Sequence, residues 1–126
     1  MKKKQLKLLS VDDNTINLML VKKMLLTFPY IDTVINAHNG IEAIKLLKSH
    51  NDFDAIILDI EMPLMDGIEM LKTLNVDDID IPPVIIATAN DERKGVALNS
   101  GANAFLVKPL RKQTLSDTLK SLVDIN

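Results

Sequence analysis

The sequence predicts an α/β fold in which a five-stranded parallel sheet carries helices on both faces. Apolar runs of strand length alternate five times with segments whose apolar residues recur at helical spacing. Several runs are apolar at consecutive positions, as in Ala55-Ile56-Ile57-Leu58, the pattern of a strand covered on both sides. The 126 residues suffice for a core that buries roughly two-thirds of the unfolded surface, and with no cysteine in the chain that core stands without disulfides.

The first strand is expected at Leu6–Val11 and the first helix at about 15–27, capped by Asp13 or Asn14 and ended by Phe28-Pro29. A second strand at 33–37 leads to a helix that follows Asn39-Gly40 and carries Ile41, Ala43, Ile44, Leu46 and Leu47. After the strand Ala55–Leu58, a third helix begins near Gly67 with Ile68, Leu71 and Leu74 on one side. An acidic, proline-terminated connection at 76–83, the one loosely structured candidate, precedes a strand at 84–87. The fourth helix, about 92–100, is weak and expected to be the most mobile. Gly95 inside it costs up to about 1 kcal/mol relative to alanine, and its apolar patch is only Val96, Ala97 and Leu98. The fifth strand, Ala104–Val107, leads to the clearest helix, with Leu115, Leu119, Leu122 and Val123 on one side and Ser116, Asp117 and Lys120 elsewhere. No repeat or long linker divides the chain, so residues 1–126 read as one domain. Five such units suggest a flavodoxin-like doubly wound sheet of order 2-1-3-4-5, an order that periodicity alone does not fix.

Composition narrows the function. A net charge of −2 and 3% aromatic residues leave neither a broad basic surface nor stacking rings for nucleic acid. No apolar run approaches the length of a membrane span, so no membrane insertion is expected. The start, with Lys2 to Lys4, is basic, but Lys7 interrupts the apolar residues after it, and it reads as a solvated leader rather than a signal peptide. The absence of cysteine fits a reducing, cytoplasmic setting.

Doubly wound sheets place ligands beyond the carboxyl ends of their strands. There stand Asp12 and Asp13 after the first strand, Asp59 after the third, Thr88 after the fourth and Lys108 after the fifth. Singly, Asp12-Asp13-Asn14 reads as a helix cap, Asp59 as a loop aspartate, Thr88 as a β-branched strand end and Lys108 as a surface lysine. Together they gather three carboxylates whose repulsion calls for a cation or a proton. Oxygen donors without cysteine or a well-placed histidine point to Mg2+, which keeps several waters and favours a phosphate as a further ligand. Lys108 offers an ammonium and Thr88 a hydroxyl to the phosphoryl oxygens.

Val11-Asp12-Asp13-Asn14, the stretch Leu58-Asp59-Ile60-Glu61-Met62-Pro63-Leu64-Met65-Asp66-Gly67, Ala87-Thr88-Ala89 and Lys108-Pro109 resemble, in order and spacing, the signatures of response regulator receiver domains. The resemblance covers practically the whole chain. It implies a two-component or phosphorelay signalling module in which Asp59 takes a phosphoryl group from phosphohistidine on a sensor histidine kinase or a histidine phosphotransfer protein. It implies that Asp13 and Asp59 bind Mg2+ directly, Asp12 directly or through water, with the backbone carbonyl of Glu61 completing the set. Thr88, the backbone N–H of Ala89 and Lys108 would hold the phosphoryl oxygens.

The resemblance further implies a switch. The Thr88 hydroxyl would move toward the phosphate, Phe105 would turn into the vacated space, and the face made by the fourth helix, fifth strand and fifth helix would change for a downstream protein target. Phe105 read without the resemblance is a core aromatic. The Lys108-Pro109 bond is expected to be cis, aiming the lysine into the site, and Glu61 and Asn90 fall where the family tunes access of hydrolytic water. Asn17 after the acidic pair is reminiscent of receivers attached to hybrid kinases. Only about three residues follow Val123, so a stand-alone or excised receiver is expected, monomeric or dimerising on phosphorylation. His38 and His50 read as surface residues, Met62 and Met65 as packing, and Pro63 and Gly67 as shaping the loop after Asp59. Two other readings are a phosphorylation-independent docking receiver and a phosphohydrolase of the haloacid dehalogenase type. The latter fits poorly, because that family separates its two aspartates by one residue and Asp12 and Asp13 are adjacent.

Overall fold

The structure is a computed structural model, and it describes residues 5–62, 65–77 and 80–125. Lys2 to Lys4, Pro63 and part of the 76–83 connection therefore lie outside the described residues. Five strands and five helices alternate: β1 Leu6–Val11, α1 Thr15–Leu25, β2 Ile31–Ala37, α2 Gly40–Ser49, β3 Ala55–Leu58, α3 Gly67–Val76, β4 Val84–Thr88, α4 Lys94–Asn99, β5 Ala104–Val107 and α5 Lys112–Leu122. The strands form one parallel sheet of order β2-β1-β3-β4-β5. That is the expected doubly wound, flavodoxin-like topology.

Alternation of side chains across the pleat divides the apolar residues into two cores. Leu9, Val11, Ile56, Leu58, Val84 and Ile86 pack with Ile44, Leu47, Leu71 and Leu74 of α2 and α3 and Ala97 of α4. On the opposite face Leu6, Leu8, Ile57 and Ile85 pack with Leu25 of α1 and Leu115 and Leu119 of α5. All four residues of β3 are buried, as its unbroken apolar run requires.

Three helices start on side-chain caps: Asn14 accepts from Asn17 N at 3.0 Å, Asn39 from Glu42 N at 2.8 Å and Asp66 from Glu69 N at 2.9 Å. Asn14, rather than Asp13, is thus the cap of α1. That helix stops two residues before the expected position because the backbone tightens into a turn, with Thr27 Oγ1 donating to Met24 O and Phe28 N to Leu25 O, which brings Phe28 and Tyr30 into the core. Helix α4 spans six residues, against the nine expected. Asp91 and Glu92 lie in the preceding turn, and its N-cap residue, Arg93, makes no side-chain cap.

Candidate functional site

The register brings the strand tips together. Val11 of β1 pairs with Leu58 of β3, so the next residues, Asp12 and Asp59, emerge side by side, and Asp59 N donates to Val11 O at 2.9 Å. Thr88 pairs with Val107, and Lys108 N donates to Thr88 O at 2.8 Å, which sets the lysine beside the threonine. Oxygens of Asp12, Asp13 and Asp59 lie within 4.8 Å of one another. Asp12, Asp59 and Thr88 are buried, whereas Asp13 is exposed.

Lys108 closes the cluster. Its Nζ donates to Asp12 Oδ2 at 2.9 Å and to Asp59 Oδ2 at 3.3 Å, and the Lys108-Pro109 bond is cis. The second oxygen of each carboxylate accepts a backbone N–H, Asp12 from Asn14 at 2.9 Å and Asp59 from Glu61 at 3.0 Å. Burial raises the pKa of Asp59 above the ordinary value; the Glu61 N–H and Lys108 oppose this, and Asp12 adds to it. For Lys108 burial acts downward, but the hydrogen bond to Asp12 and the charges of Asp59 and Asp12 outweigh it and the pKa is raised. The two directions agree physically, because one ammonium cannot neutralise two buried carboxylates. The cluster retains a negative excess, with Asp13 at its exposed rim, that favours a further cation.

The donor set fits a hard divalent ion: three carboxylates, no sulfur, and lone pairs left over on oxygens that each accept one donor here. Glu61 reaches Asp59 through its N–H, which puts its backbone beside the cluster.

Around the cluster two loops are joined. Asn90 Nδ2 donates to Glu61 Oε1 at 3.3 Å, Asn90 N to Thr88 Oγ1 at 3.3 Å, and Arg93 pairs with Asp66 at 3.2 Å. Gly67 lies so close beneath the loop that follows β3 that a Cβ there would stand 2.9 Å from Asp59 O and from Ile60 Cα. Phe105 is half-buried, opposite Ile86 and against the α2–α3–α4 core, and Ala89 is exposed at the turn after β4. Met62 is buried and Met65 packs on the same core, while His38 and His50 are exposed.

Sequence reasoning missed one feature. Ile16, Met19 and Leu20 of α1 are 67%, 63% and 60% exposed, forming an apolar patch next to the acidic cluster. It continues into a groove of about 520 Å³ lined by Leu20, Val21, Met24, Lys108, Pro109 and Leu110. Apolar residues at helical spacing read as core. Only the surplus of them in α1, on more than one side of the helix, could have signalled an outward-facing patch.

The fold and site have close relatives. The response regulator receiver domain family matches residues 8–120. Chemotaxis protein CheY1 of Helicobacter pylori is 32% identical over 96% of this chain and 99% of its own. The structure of chemotaxis protein CheY4 from Vibrio cholerae superposes with a TM-score of 0.82 at 31% identity, covering 94% of this chain and 99% of that one. The receiver domain of the sensor histidine kinase PA1611 from Pseudomonas aeruginosa, with a magnesium ion coordinated in its active-site cleft, gives 0.80 at 25% identity over 94% and 97%. A sheet of order 2-1-3-4-5, acidic side chains converging from two strand tips on a lysine, and a family match across nearly all of the chain lead to one conclusion: this protein belongs to the response regulator receiver domain family.

Proposed function

We propose that this receiver, acting as one domain over residues 1–126, accepts a phosphoryl group on Asp59 from a phosphohistidine and uses it to change the face it shows to a downstream protein. The observation that carries the reading is the setting of the Asp59 carboxylate: buried, one oxygen 3.3 Å from Lys108 Nζ, and within 4.8 Å of two further carboxylates. A lone buried aspartate at a strand tip needs none of these neighbours.

An Asp59 carboxylate oxygen attacks phosphorus, forming an O–P bond as the P–N bond of phosphohistidine breaks and its electron pair returns to the imidazole. Asp12, Asp13, Asp59 and the Glu61 carbonyl would hold Mg2+, which when bound supplies charge neutralisation at the phosphoryl oxygens. Lys108 neutralises a further oxygen, and Thr88 Oγ1 and Ala89 N–H donate to the rest. Transfer needs chiefly alignment and neutralised charge, so no general base is required. The protein is a signalling phosphoacceptor whose only catalysis is of its own phosphorylation and dephosphorylation.

Thr88 and Phe105 form the switch. Thr88 ends β4, and Phe105 lies on the adjacent β5, opposite Ile86, so withdrawal of the hydroxyl toward a phosphoryl group alters the strand edge that carries α4. The donor is a sensor histidine kinase or histidine phosphotransfer protein, and the exposed Ile16, Met19 and Leu20 beside the site suit an apolar helix face of that donor. No helix among the described residues is long and apolar enough to cross a membrane, and we place the protein in the cytoplasm, as a monomer or a phosphorylation-dependent dimer, with no nucleic acid as direct ligand.

Incubation with Mg2+ and acetyl phosphate, followed by intact mass and peptide mapping, tests this. One phosphoryl group on the peptide holding Asp59 is expected, and modification elsewhere removes the assignment. Equal partner affinity for the phosphorylated protein and Asp59→Asn would favour a docking receiver that ignores phosphate.

A further inference from the structure

Away from the acidic cluster, Phe28 and Tyr30 stack with ring centroids 5.5 Å apart and planes inclined by 17°. Helix α5 lies along them. Lys112 Nζ stands 5.8 Å from the Phe28 centroid, and Lys120 Nζ stands 5.8 Å from that of Tyr30. Between the two lysines, one turn from each, the Ser116 hydroxyl shares a 2.6 Å hydrogen bond with the Tyr30 hydroxyl. With Pro29 and Gln113 these residues line a groove of about 520 Å³.

The groove is electrostatically one-sided. No carboxylate lines it, and no ion pair among the described residues uses Lys112 or Lys120. The nearby Asp117 carboxylate accepts from Gln113 Nε2 at 2.8 Å.

We propose that this groove binds an acidic peptide segment of a partner protein, two of whose carboxylates meet Lys112 and Lys120 while an apolar side chain between them enters over Pro29 and the ring pair. The spacing selects the class. The backbone positions of Lys112 and Lys120, eight apart on α5, are separated by about 12 Å along the helix. In an extended peptide, residues four apart lie about 13 Å apart on one face, with the residue midway between them on that same face. The pattern that fits is acidic-x-apolar-x-acidic. Each ammonium now lies over a ring without a carboxylate, so an incoming carboxylate adds a charge-assisted hydrogen bond without breaking an ion pair. The groove faces the α1–β2 turn and includes none of the Asp59 cluster, so its occupancy does not depend on the phosphoacceptor reading.

Tyr30 is the one tyrosine of the chain, which has no tryptophan, so its emission reports directly on this groove. A blocked peptide containing Asp-Ser-Leu-Ser-Asp is titrated into the full chain, beside one with both aspartates replaced by asparagine. A saturable change in tyrosine emission, with Kd on the order of 100 μM, is expected for the acidic peptide alone. Lys112→Glu and Lys120→Glu alter exposed side chains and should each weaken binding about tenfold, with circular dichroism unchanged. Lys45→Glu with Lys72→Glu, exposed lysines on α2 and α3 across the sheet, should leave it within about twofold. The proposal is overturned by no saturable change up to about 1 mM, by equal binding of the asparagine peptide, by equal loss in the α2–α3 control, or by displacement of the peptide by equimolar inorganic phosphate.

Discussion

Lys108 Nζ lies 2.9 Å from Asp12 Oδ2 and 3.3 Å from Asp59 Oδ2, so one ammonium bridges the tips of two neighbouring strands. It offsets only part of their charge. Asp59, whose pKa burial raises, therefore favours its protonated form more in the folded chain than in the unfolded one. The penalty is absent below the ordinary carboxylate pKa, grows as pH rises from there to the folded value, and is complete above it. Asp59→Asn should stabilise the fold at neutral pH by about 1 kcal/mol, the lower end for replacing a buried charge. Urea denaturation at neutral pH checks this, and the difference should shrink as pH falls toward about 3.9 and be gone below it.

The same bridge makes Lys108 the opposite case. Its pKa is raised despite burial, so it stabilises the fold at every pH below its unfolded value, and that contribution disappears as pH rises through the folded value. Lys108→Ala leaves Asp12 and Asp59 facing each other and should cost about 2 kcal/mol, less than a fully buried pair because the ammonium keeps some contact with water. The wild-type advantage should fade in alkaline unfolding experiments above about pH 10.4. Phosphorylation by acetyl phosphate should slow about a hundredfold, and Lys108→Arg should not restore it, because a planar guanidinium presents different geometry to two converging carboxylates.

How far these relationships are legible in the sequence differs by residue. The bounds of β1, β3 and β5 follow from their apolar runs, because strands between helical layers tolerate little else. The end of α1 does not, since Leu26 continues the helical apolar pattern and only the turn made by Thr27 and Phe28 shows that the backbone has left it. Asp12, Asp59 and Lys108 are legible as strand tips, because parallel topology places such tips on one edge. Glu61 to Asn90 and Asp66 to Arg93 are not, since they join loops whose separation depends on how α3 and α4 settle. The groove under α5 is equally hidden, because Phe28 and Lys112 are distant in the chain and ordinary in type.

Gly67 gives a backbone prediction. A methyl group at this position would sit 2.9 Å from Asp59 O, Ile60 Cα and Ile60 Cγ2, and two of those three are backbone atoms that no side-chain rotation can move. Gly67→Ala should destabilise by about 2 kcal/mol, in the range for overpacking, and should slow phosphorylation of Asp59 because the acceptor loop is what must shift. Chemical denaturation and the acetyl phosphate rate together check this. Gly95→Ala is the control, since nothing lies within 4 Å of its added carbon, and it should hold or raise stability.

The charge excess at the cluster predicts a dependence on divalent ions. Mg2+ at millimolar concentration should raise the midpoint of thermal unfolding, and chelation should return it, because an ion held by the folded chain alone stabilises it. Asp13→Asn, at the exposed rim, should remove most of that shift while leaving stability without Mg2+ close to wild type. A midpoint indifferent to Mg2+ in the wild type would speak against the ion site, whatever the phosphorylation rate.

On the proposed reading, Thr88 should separate taking the phosphoryl group from reporting it. It is fully buried at the end of β4, its Oγ1 accepting from Asn90 N at 3.3 Å, and its side chain makes no hydrogen bond to Asp59 or Lys108. Its strand pairs with β5, whose Phe105 is half-buried against the same core as Ala97 of α4. If Thr88 donates to the phosphoryl group as proposed, Thr88→Ala removes one donor, and its effect on the rate at Asp59 should stay within about tenfold. The difference between phosphorylated and unphosphorylated protein at α4 and β5 should fall much further, because a two-state equilibrium moves only by the contacts that differ between its states. Hydrogen exchange across residues 91–107, measured with and without phosphorylation in both proteins, checks it: a variant whose exchange responds as fully as the wild type would place the coupling in Lys108 or the backbone rather than in the Thr88 hydroxyl.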